Sequence, residues 1–123
     1  MKPKILIVED EPAITDTIQY ALETDGFETV TLSSGMSVIP LIAENPVDLI
    51  VLDIRMPKMD GLEAIGNIID INKNIPIIIN SAYSNYKDDF MSWAADAYVV
   101  KSYNLDELKT TIKEVLLKKK SPS

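Results

Sequence analysis

The sequence contains no cysteine and no histidine. The missing cysteine excludes disulfides, thiolate zinc sites, iron–sulfur clusters and thiol nucleophiles. The missing histidine excludes imidazole metal ligands, imidazole general bases and Ser-His or Cys-His triads. Any chemistry of this chain must therefore come from carboxylates, hydroxyls, lysine, arginine or a hard cation held by oxygen ligands.

The chain also lacks long apolar runs and an excess of positive charge. Nineteen acidic residues against twelve basic ones give a net charge of −7, which argues against a nucleic-acid-binding face. No apolar run approaches the ~20 residues of a membrane span, and Ile5–Val8 is too short for a secretory signal. We therefore expect a cytoplasmic protein that enters no membrane and binds no DNA directly.

The length of 123 residues is that of one domain. At 46% hydrophobic and 25% charged residues, the composition is that of an ordinary globular protein, which can bury a core without cross-links. We expect one domain over residues 1–119, followed by a disordered tail or linker stub over 120–123.

Short apolar runs alternate with helical patterns along the chain. The predicted strands are Ile5–Val8, Phe27–Leu32, Leu49–Leu52, Ile77–Ile79 and Tyr98–Val100. The predicted helices lie between Pro12 and Gly26, over Met36–Glu44, Gly61–Ile71 and Lys87–Ala95, and from Asn104 onward. This alternation is typical of a parallel sheet with helices on both faces.

Local signals delimit these helices. Pro12 suits a first helical turn and Gly26 a C-terminal cap. Pro40 removes one helical hydrogen bond, so we expect the second helix to be kinked or short. Asn104 can cap the last helix, with Glu107 three residues later in capping-box register.

Polar side chains follow four of the predicted strands. They are Glu9, Asp10 and Glu11, then Asp53, then Asn80 and Ser81, and finally Lys101 and Ser102. Each alone is also expected where a strand gives way to a solvent-facing loop. Because ligands bind at the carboxyl ends of parallel strands, the combination is more informative, and we expect these side chains at one edge of the sheet.

A cluster of carboxylates is stable only if one of them is protonated or a cation neutralises them. Mg²⁺ is suitable, because it takes one or two carboxylates, keeps waters and accepts phosphate oxygens. A carboxylate can itself attack phosphorus and form an aspartyl phosphate. The transferred group needs positive charge and donors around its equatorial oxygens, which Lys101 and the Ser81 hydroxyl would supply.

Four separated motifs carry these residues. They are Val8-Glu9-Asp10-Glu11-Pro12, Leu52-Asp53-Ile54-Arg55-Met56-Pro57 with Met59-Asp60-Gly61, Asn80-Ser81-Ala82, and Tyr98-Val99-Val100-Lys101. In this order and spacing the chain, from Lys2 to Leu117, resembles the receiver domain of two-component response regulators of the single-domain chemotaxis and sporulation-regulator type. The resemblance implies an α/β, flavodoxin-like (βα)5 fold, doubly wound, with a five-stranded parallel sheet in order 2-1-3-4-5.

The resemblance also implies a phosphoacceptor in a bacterial phosphorelay. Asp53 would accept a phosphoryl group from a phosphohistidine on a histidine kinase or histidine phosphotransfer protein, because this chain has no histidine of its own. Asp10 and Asp53 would ligate Mg²⁺, or Mn²⁺ in its place. Glu9 would act through a metal-bound water, and the backbone carbonyl of Arg55 would be a further ligand. Lys101 takes the family's lysine position.

A conformational switch is the second implication. The Ser81 hydroxyl would move toward the phosphoryl group and Tyr98 would turn inward, so that a protein target reads the changed surface of helix 4, strand 5 and helix 5. Met91, Trp93 and Tyr103 are candidates for that surface. Ordinary packing remains an alternative, with Tyr98 as a half-buried strand aromatic and, by preference, Trp93 as a core residue.

The chain departs from the family pattern at several positions. The acidic pair is Glu9-Asp10 where Asp-Asp is commoner, and Ser81 stands where threonine is more frequent. Lys101-Ser102 replaces the usual Lys-Pro with its cis bond. Since a cis bond before a non-proline residue costs about 2.5–4 kcal/mol, we expect a trans bond or a strained cis bond held by the site.

Arg55 and Tyr83 lie two residues after Asp53 and Ser81, where family members tune hydrolysis of the phosphoryl group. Both are bulky. They would either hinder in-line water attack and prolong the phosphorylated state, or extend into solvent. A domain of this kind is not a conventional enzyme, because it catalyses only its own phosphorylation and slow autodephosphorylation.

Other functions can be built on carboxylates at parallel strand ends. A phosphatase of the haloacid dehalogenase type needs a second aspartate where this chain has Arg55. A flavin or nucleotide binder would need a glycine-rich phosphate loop, and neither G-x-G-x-x-G nor G-x-x-x-x-G-K-[ST] occurs. A phosphorylation-independent interaction module on the same fold stays open because of Lys101-Ser102. We expect a monomer or weak dimer whose output is contact with a protein target.

Overall fold

The computed structural model describes residues 2–34, 38–53, 66–70, 74–82, 95–102 and 104–120. The predicted fourth helix lies outside these residues, except for Ala95 at its end. The predicted positions Arg55, Tyr83, Met91, Trp93 and Tyr103 lie outside them as well.

A five-stranded parallel sheet forms the centre of the molecule. Its strands are β1 (Lys4–Val8), β2 (Glu28–Leu32), β3 (Leu49–Leu52), β4 (Ile77–Ser81) and β5 (Ala97–Val100). Their spatial order is β2-β1-β3-β4-β5, and every neighbouring pair is parallel. The predicted strand order is confirmed. The chain leaves β1 for β2 on one side and returns to β3 on the other, so the switch point lies between β1 and β3.

Three described helices surround the sheet, and they span Pro12–Thr24 (the first helix), Val38–Glu44 (the second helix) and Asp106–Lys120 (the C-terminal helix). Residues 66–70 are also helical, within the predicted third helix. Pro40 lies within the second helix, which ends at Glu44, four residues later. Among the described residues, no helix has the length and apolarity needed to cross a membrane.

The first helix ends as predicted, at Gly26. This residue has φ of +93° and donates its N–H to the Glu23 carbonyl at 3.1 Å. The next N–H, that of Phe27, bonds to the Leu22 carbonyl at 3.0 Å. These two bonds are the Schellman arrangement, which requires a left-handed residue that glycine adopts without strain.

The C-terminal helix is capped by Asn104, again as predicted. The Asn104 Oδ1 accepts the N–H of Asp106 at 2.9 Å. The reciprocal half of the expected capping box is different, because the Asn104 N–H donates to the Ser102 Oγ at 3.1 Å and not to Glu107. A serine two residues upstream makes this local turn readily.

The sheet is buried on both faces, as the unbroken apolar strands predict. Alternate strand residues enter two separate hydrophobic clusters. One cluster joins Leu6, Ile50, Ile79 and Tyr98 to the second helix and to Ile68. The other joins Ile5, Ile7, Val51, Ile78 and Val99 to the first and C-terminal helices. The helices on both faces confirm the doubly wound architecture. Because the strands are parallel, the polar residues that follow them lie at one edge of the sheet, the carboxyl edge.

Candidate functional site

Three charged residues leave the sheet at its carboxyl edge. Glu9, Asp53 and Lys101 each directly follow a strand, namely β1, β3 and β5. Each also continues the sheet ladder by one bond, donating its N–H to β2 at 3.0 Å, to β1 at 3.0 Å and to β4 at 2.7 Å, respectively. Their backbones are therefore fixed by the sheet, although they lie beyond the strand ends.

The side chain of Lys101 lies between the two carboxylates. Its Nζ is 2.9 Å from Glu9 Oε2 and 2.9 Å from Asp53 Oδ2, and it also donates to Glu9 Oε1 at 3.2 Å. The side chains of Glu9 and Asp53 are only 3% and 7% exposed, and that of Lys101 is 18% exposed. This is a largely buried ion triad.

Asp10 adds a third carboxylate to the site. Oxygen atoms of Glu9, Asp10 and Asp53 lie within 4.8 Å of one another. In the described part of the chain, the cluster thus sets three carboxylates against the single ammonium of Lys101. Carboxylate oxygens at this separation suit a hard divalent cation such as Mg²⁺, which would neutralise the excess negative charge.

The excess of negative charge appears in the acid–base properties of the site. Burial raises the pKa of Glu9 to about 7, and the charge of Asp53 adds to the increase although Lys101 opposes it. Burial alone would lower the pKa of Lys101, but its bonds to Glu9 and Asp53 outweigh this and raise it. Lys101 is therefore charged at neutral pH, whereas Glu9 is close to its midpoint.

Ser81 and Tyr98 are buried on one face of the sheet. Ser81 is the last residue of β4 and is fully buried, and Tyr98 is 8% exposed. Tyr98 is in register with Ile79, two residues before Ser81, and packs in the same cluster as Ile79. Tyr98 is thus more buried than the half-buried strand aromatic considered above.

Thr15 supports the loop that carries Asp10, and the sequence analysis did not identify it. Its Oγ1 lies 3.4 Å from the Glu9 carbonyl and donates to the Glu11 carbonyl at 3.2 Å. The available signal was a threonine in the first helix four residues after Glu11, since threonine hydroxyls in helices bond to backbone carbonyls of the preceding turn.

A groove of about 690 Å³ adjoins the site on the side of the first helix. Its apolar wall includes Ile14, Ile18 and Leu105, while Asn80 and Lys101 are among its polar lining residues. Lys101 therefore borders both the carboxylate cluster and this groove.

The structure brings together four predicted site residues, Glu9, Asp10, Asp53 and Lys101. The carbonyl of Ser81, at the end of β4, accepts the backbone N–H of Lys101 at 2.7 Å. The described residues contain no cis peptide bond, so the bond between Lys101 and Ser102 is trans, which decides between the two alternatives expected from the sequence.

Comparison with known proteins identifies relatives of this arrangement. A family model described as the response regulator receiver domain matches residues 5–113. The crystal structure of response regulator protein TrrA from Thermotoga maritima in complex with Mg(2+)-BeF is 43% identical, with a TM-score of 0.87, covering 94% of this chain and 99% of that chain. A second crystal structure, of histidine kinase ThkA in complex with TrrA, gives 44% identity, a TM-score of 0.86 and the same coverage.

A curated relative of similar length is sporulation initiation phosphotransferase F of Bacillus subtilis. It is 28% identical over 118 residues, which are 94% of this chain and 95% of that protein. Of several other curated relatives, the chain spans about half the length or less.

Proposed function

Because this chain belongs to the response regulator receiver domain family of two-component systems, we propose that Asp53 accepts a phosphoryl group from a phosphohistidine of a partner protein. The observation that carries the proposal is the placement of Asp53. Its carboxylate is 2.9 Å from an ammonium group and within 4.8 Å of two further carboxylates, at the switch point of the sheet. This combines a nucleophile, a positive charge and ligands for a hard cation.

In the proposed transfer, an oxygen of Asp53 attacks phosphorus while the bond from phosphorus to the donor imidazole nitrogen breaks. The electron pair of that bond stays with the imidazole. No proton has to leave Asp53, because the attacking group is a carboxylate. Negative charge spreads over the equatorial phosphoryl oxygens, and the ammonium of Lys101, already beside Asp53, stabilises it there.

Glu9, Asp10 and Asp53 would hold the divalent cation, for which Mg²⁺ is the first candidate and Mn²⁺ an alternative. When bound, such a cation neutralises developing phosphoryl charge. The residues fit this role, because their oxygens cluster at the sheet edge and three carboxylates outnumber the single positive charge of Lys101. The complex of TrrA with Mg(2+)-BeF supports the assignment by analogy.

The proposed output is a change in the surface formed by helix 4, strand 5 and helix 5 of the family fold. The position of Ser81 and Tyr98 on one face of the sheet supports this proposal, because a shift of the Ser81 hydroxyl would alter the packing of Tyr98. The proposed partners are a histidine kinase or histidine phosphotransfer protein as donor and a protein target. The ThkA–TrrA complex supports a kinase as donor.

The test is the intact mass of the protein after incubation with acetyl phosphate, with and without Mg²⁺. We expect a Mg²⁺-dependent gain of one phosphoryl group in the wild type and none in Asp53→Asn. Asp48→Asn is the matched control, because Asp48 lies at the opposite edge of the sheet, and it should gain the group. If the folded wild type gains no phosphoryl group, a phosphorylation-independent interaction module becomes the better interpretation.

A further inference from the structure

Glu9 and Lys101 form a direct ion pair with two short contacts. Lys101 contacts both carboxylate oxygens of Glu9, at 2.9 and 3.2 Å, and it contacts Asp53 through Oδ2 at 2.9 Å. The Glu9 side chain is 3% exposed, so water screens this pair little. Glu9 is therefore a principal partner of the lysine, alongside the proposed phosphoacceptor.

This contact depends on the length of the Glu9 side chain. Glu9 follows β1 and Lys101 follows β5, and these strands lie three inter-strand spacings apart in the sheet, or about 14 Å. Two long side chains are needed to bridge that distance. An aspartate would be shorter by one carbon–carbon bond, about 1.5 Å, which would open the contact beyond hydrogen-bonding distance.

Glu9 also belongs to the carboxylate cluster with Asp10 and Asp53. A single carboxylate therefore belongs both to the ion pair with Lys101 and to the cluster that could hold a cation. In a buried site, two positive charges that share one counter-charge repel each other and compete for it. The pairing seen here is consequently one of two arrangements available to Glu9.

We propose that Glu9 exchanges partners, holding Lys101 when no divalent cation is bound and turning to the hydrated cation when one binds, so that Lys101 is left to Asp53 alone. The proposal rests on the proposed function, because the released ammonium is the group placed against the phosphoryl oxygens. Glu9 is thus a positioning residue that acts through Lys101. The exchange makes Lys101 and the cation antagonists, and Glu9 adds to the coupling that Asp53, which also contacts Lys101 and belongs to the cluster, already provides.

The experiment is a double-mutant cycle on Mg²⁺ affinity, measured by titration calorimetry on the full chain. Lys101→Met should tighten Mg²⁺ binding on the order of tenfold when Glu9 is present. In the Glu9→Asp background, which keeps the charge and shortens the reach, the same substitution should tighten binding by about twofold or less. Lys113→Met is the matched control, because it removes a lysine paired with Asp25 away from the site, and it should leave the affinity unchanged.

A second readout follows the lysine directly. The ¹⁵N signal of the Lys101 ammonium should shift on addition of Mg²⁺ to the wild type, and much less in Glu9→Asp. Should Glu9→Asp unfold, Glu9→Gln supplies the same comparison, since an amide cannot form the ion pair.

Equal effects of Lys101→Met in the two backgrounds would overturn the exchange at Glu9 and leave the proposed function standing. Unequal effects in a protein that accepts no phosphoryl group from acetyl phosphate would support the exchange and overturn the proposed function. No Mg²⁺ binding by any variant would overturn both.

Discussion

Acidic side chains at the two edges of the sheet are held in different ways. At the amino edge, Asp48 and Asp96 directly precede β3 and β5. Each forms a closed pair of bonds with the first residue of a neighbouring strand. Asp48 accepts the N–H of Lys4 at 2.7 Å and donates its own to the Lys4 carbonyl at 2.8 Å. Asp96 makes the same two bonds with Ile77, both at 2.8 Å.

At the carboxyl edge, by contrast, the acids are grouped around one ammonium group. Glu9 and Asp53 share Lys101, and Asp10 adds a further negative charge. The comparison shows that an aspartate beside a strand is not by itself a functional signal. The distinguishing property is the balance of charge, because Asp48 and Asp96 are each bonded to a strand residue of their own, whereas three carboxylates of the candidate site are grouped around a single ammonium group.

The largest effect is expected from removing the ammonium of Lys101, which Glu9 and Asp53 share. Lys101→Met should slow phosphoryl uptake from acetyl phosphate by about 100- to 1,000-fold, the usual effect of losing one group that stabilises transition-state charge. Time-resolved intact-mass measurement checks this. Lys113→Met should keep the wild-type rate. A slow rate in both variants would mean that net charge, and not the position of Lys101, controls uptake.

The second test follows the pH dependence of the free energy of unfolding, to which Glu9 contributes. An unfolded glutamate loses its proton near pH 4.5, whereas in the folded protein burial raises the pKa of Glu9 to about 7. Between these values the folded state binds more protons, so this group lowers the free energy of unfolding as pH rises. The loss from pH 4.5 to above 7 is about 3 kcal/mol.

Urea unfolding in the presence of EDTA measures that slope. Glu9→Gln cannot titrate, so its free energy of unfolding should fall less than that of the wild type over the same pH range. Parallel curves for the two proteins would show that Glu9 does not carry the unneutralised charge of the site.

The amino edge should respond through stability and not through phosphoryl uptake. Asp96→Ala removes the acceptor of the buried Ile77 N–H, which should lower the free energy of unfolding by about 1–3 kcal/mol. Asp96→Asn keeps an acceptor oxygen and should lose less. Urea unfolding gives both values. Equal losses would indicate that the charge of Asp96, rather than its hydrogen bond, stabilises the start of β4.

Much of this fold could be predicted from the sequence, because short apolar runs that alternate with helical patterns are a local feature. Val99 and Ile78 enter one cluster, and Tyr98 and Ile79 the other, as the two-residue period of a strand requires. Asp53 and Lys101 could also be placed at one edge, since the carboxyl ends of parallel strands meet there.

The remaining features depend on distances that a sequence does not contain. The bond from Lys101 to Glu9 requires two side chains long enough to span three strand spacings. The paired bonds of Asp48 and Asp96 require that each aspartate lie opposite the first residue of its neighbouring strand. Likewise, Asn104 was recognisable as a cap, but its second partner, Ser102, depends on the path of the chain between Lys101 and the helix.

The smallest expected effect concerns an acid with its own partners at the surface. Asp25, beyond the end of the first helix, lies 2.9 Å from Lys113 and 3.9 Å from Lys109. The hydrogen bond from Lys113 lowers the pKa of Asp25, against a smaller opposing effect of burial. Because folded Asp25 binds its proton less tightly than unfolded Asp25, the pair stabilises the protein above the unfolded pKa. This contribution is lost as the pH falls through the pKa of folded Asp25.

Lys113→Met should therefore lower the urea midpoint slightly at pH 7, and this decrease should shrink as acid protonates Asp25 and removes the ion pair. Lys109 retains part of the attraction, and 1 M NaCl should remove most of the difference by screening. A decrease of the same size at neutral and acidic pH would assign the effect to lost packing of the lysine stem. In that case the charge of Asp25 would contribute nothing, and the contrast between the two edges would rest on the hydrogen-bonded pairs of Asp48 and Asp96 alone.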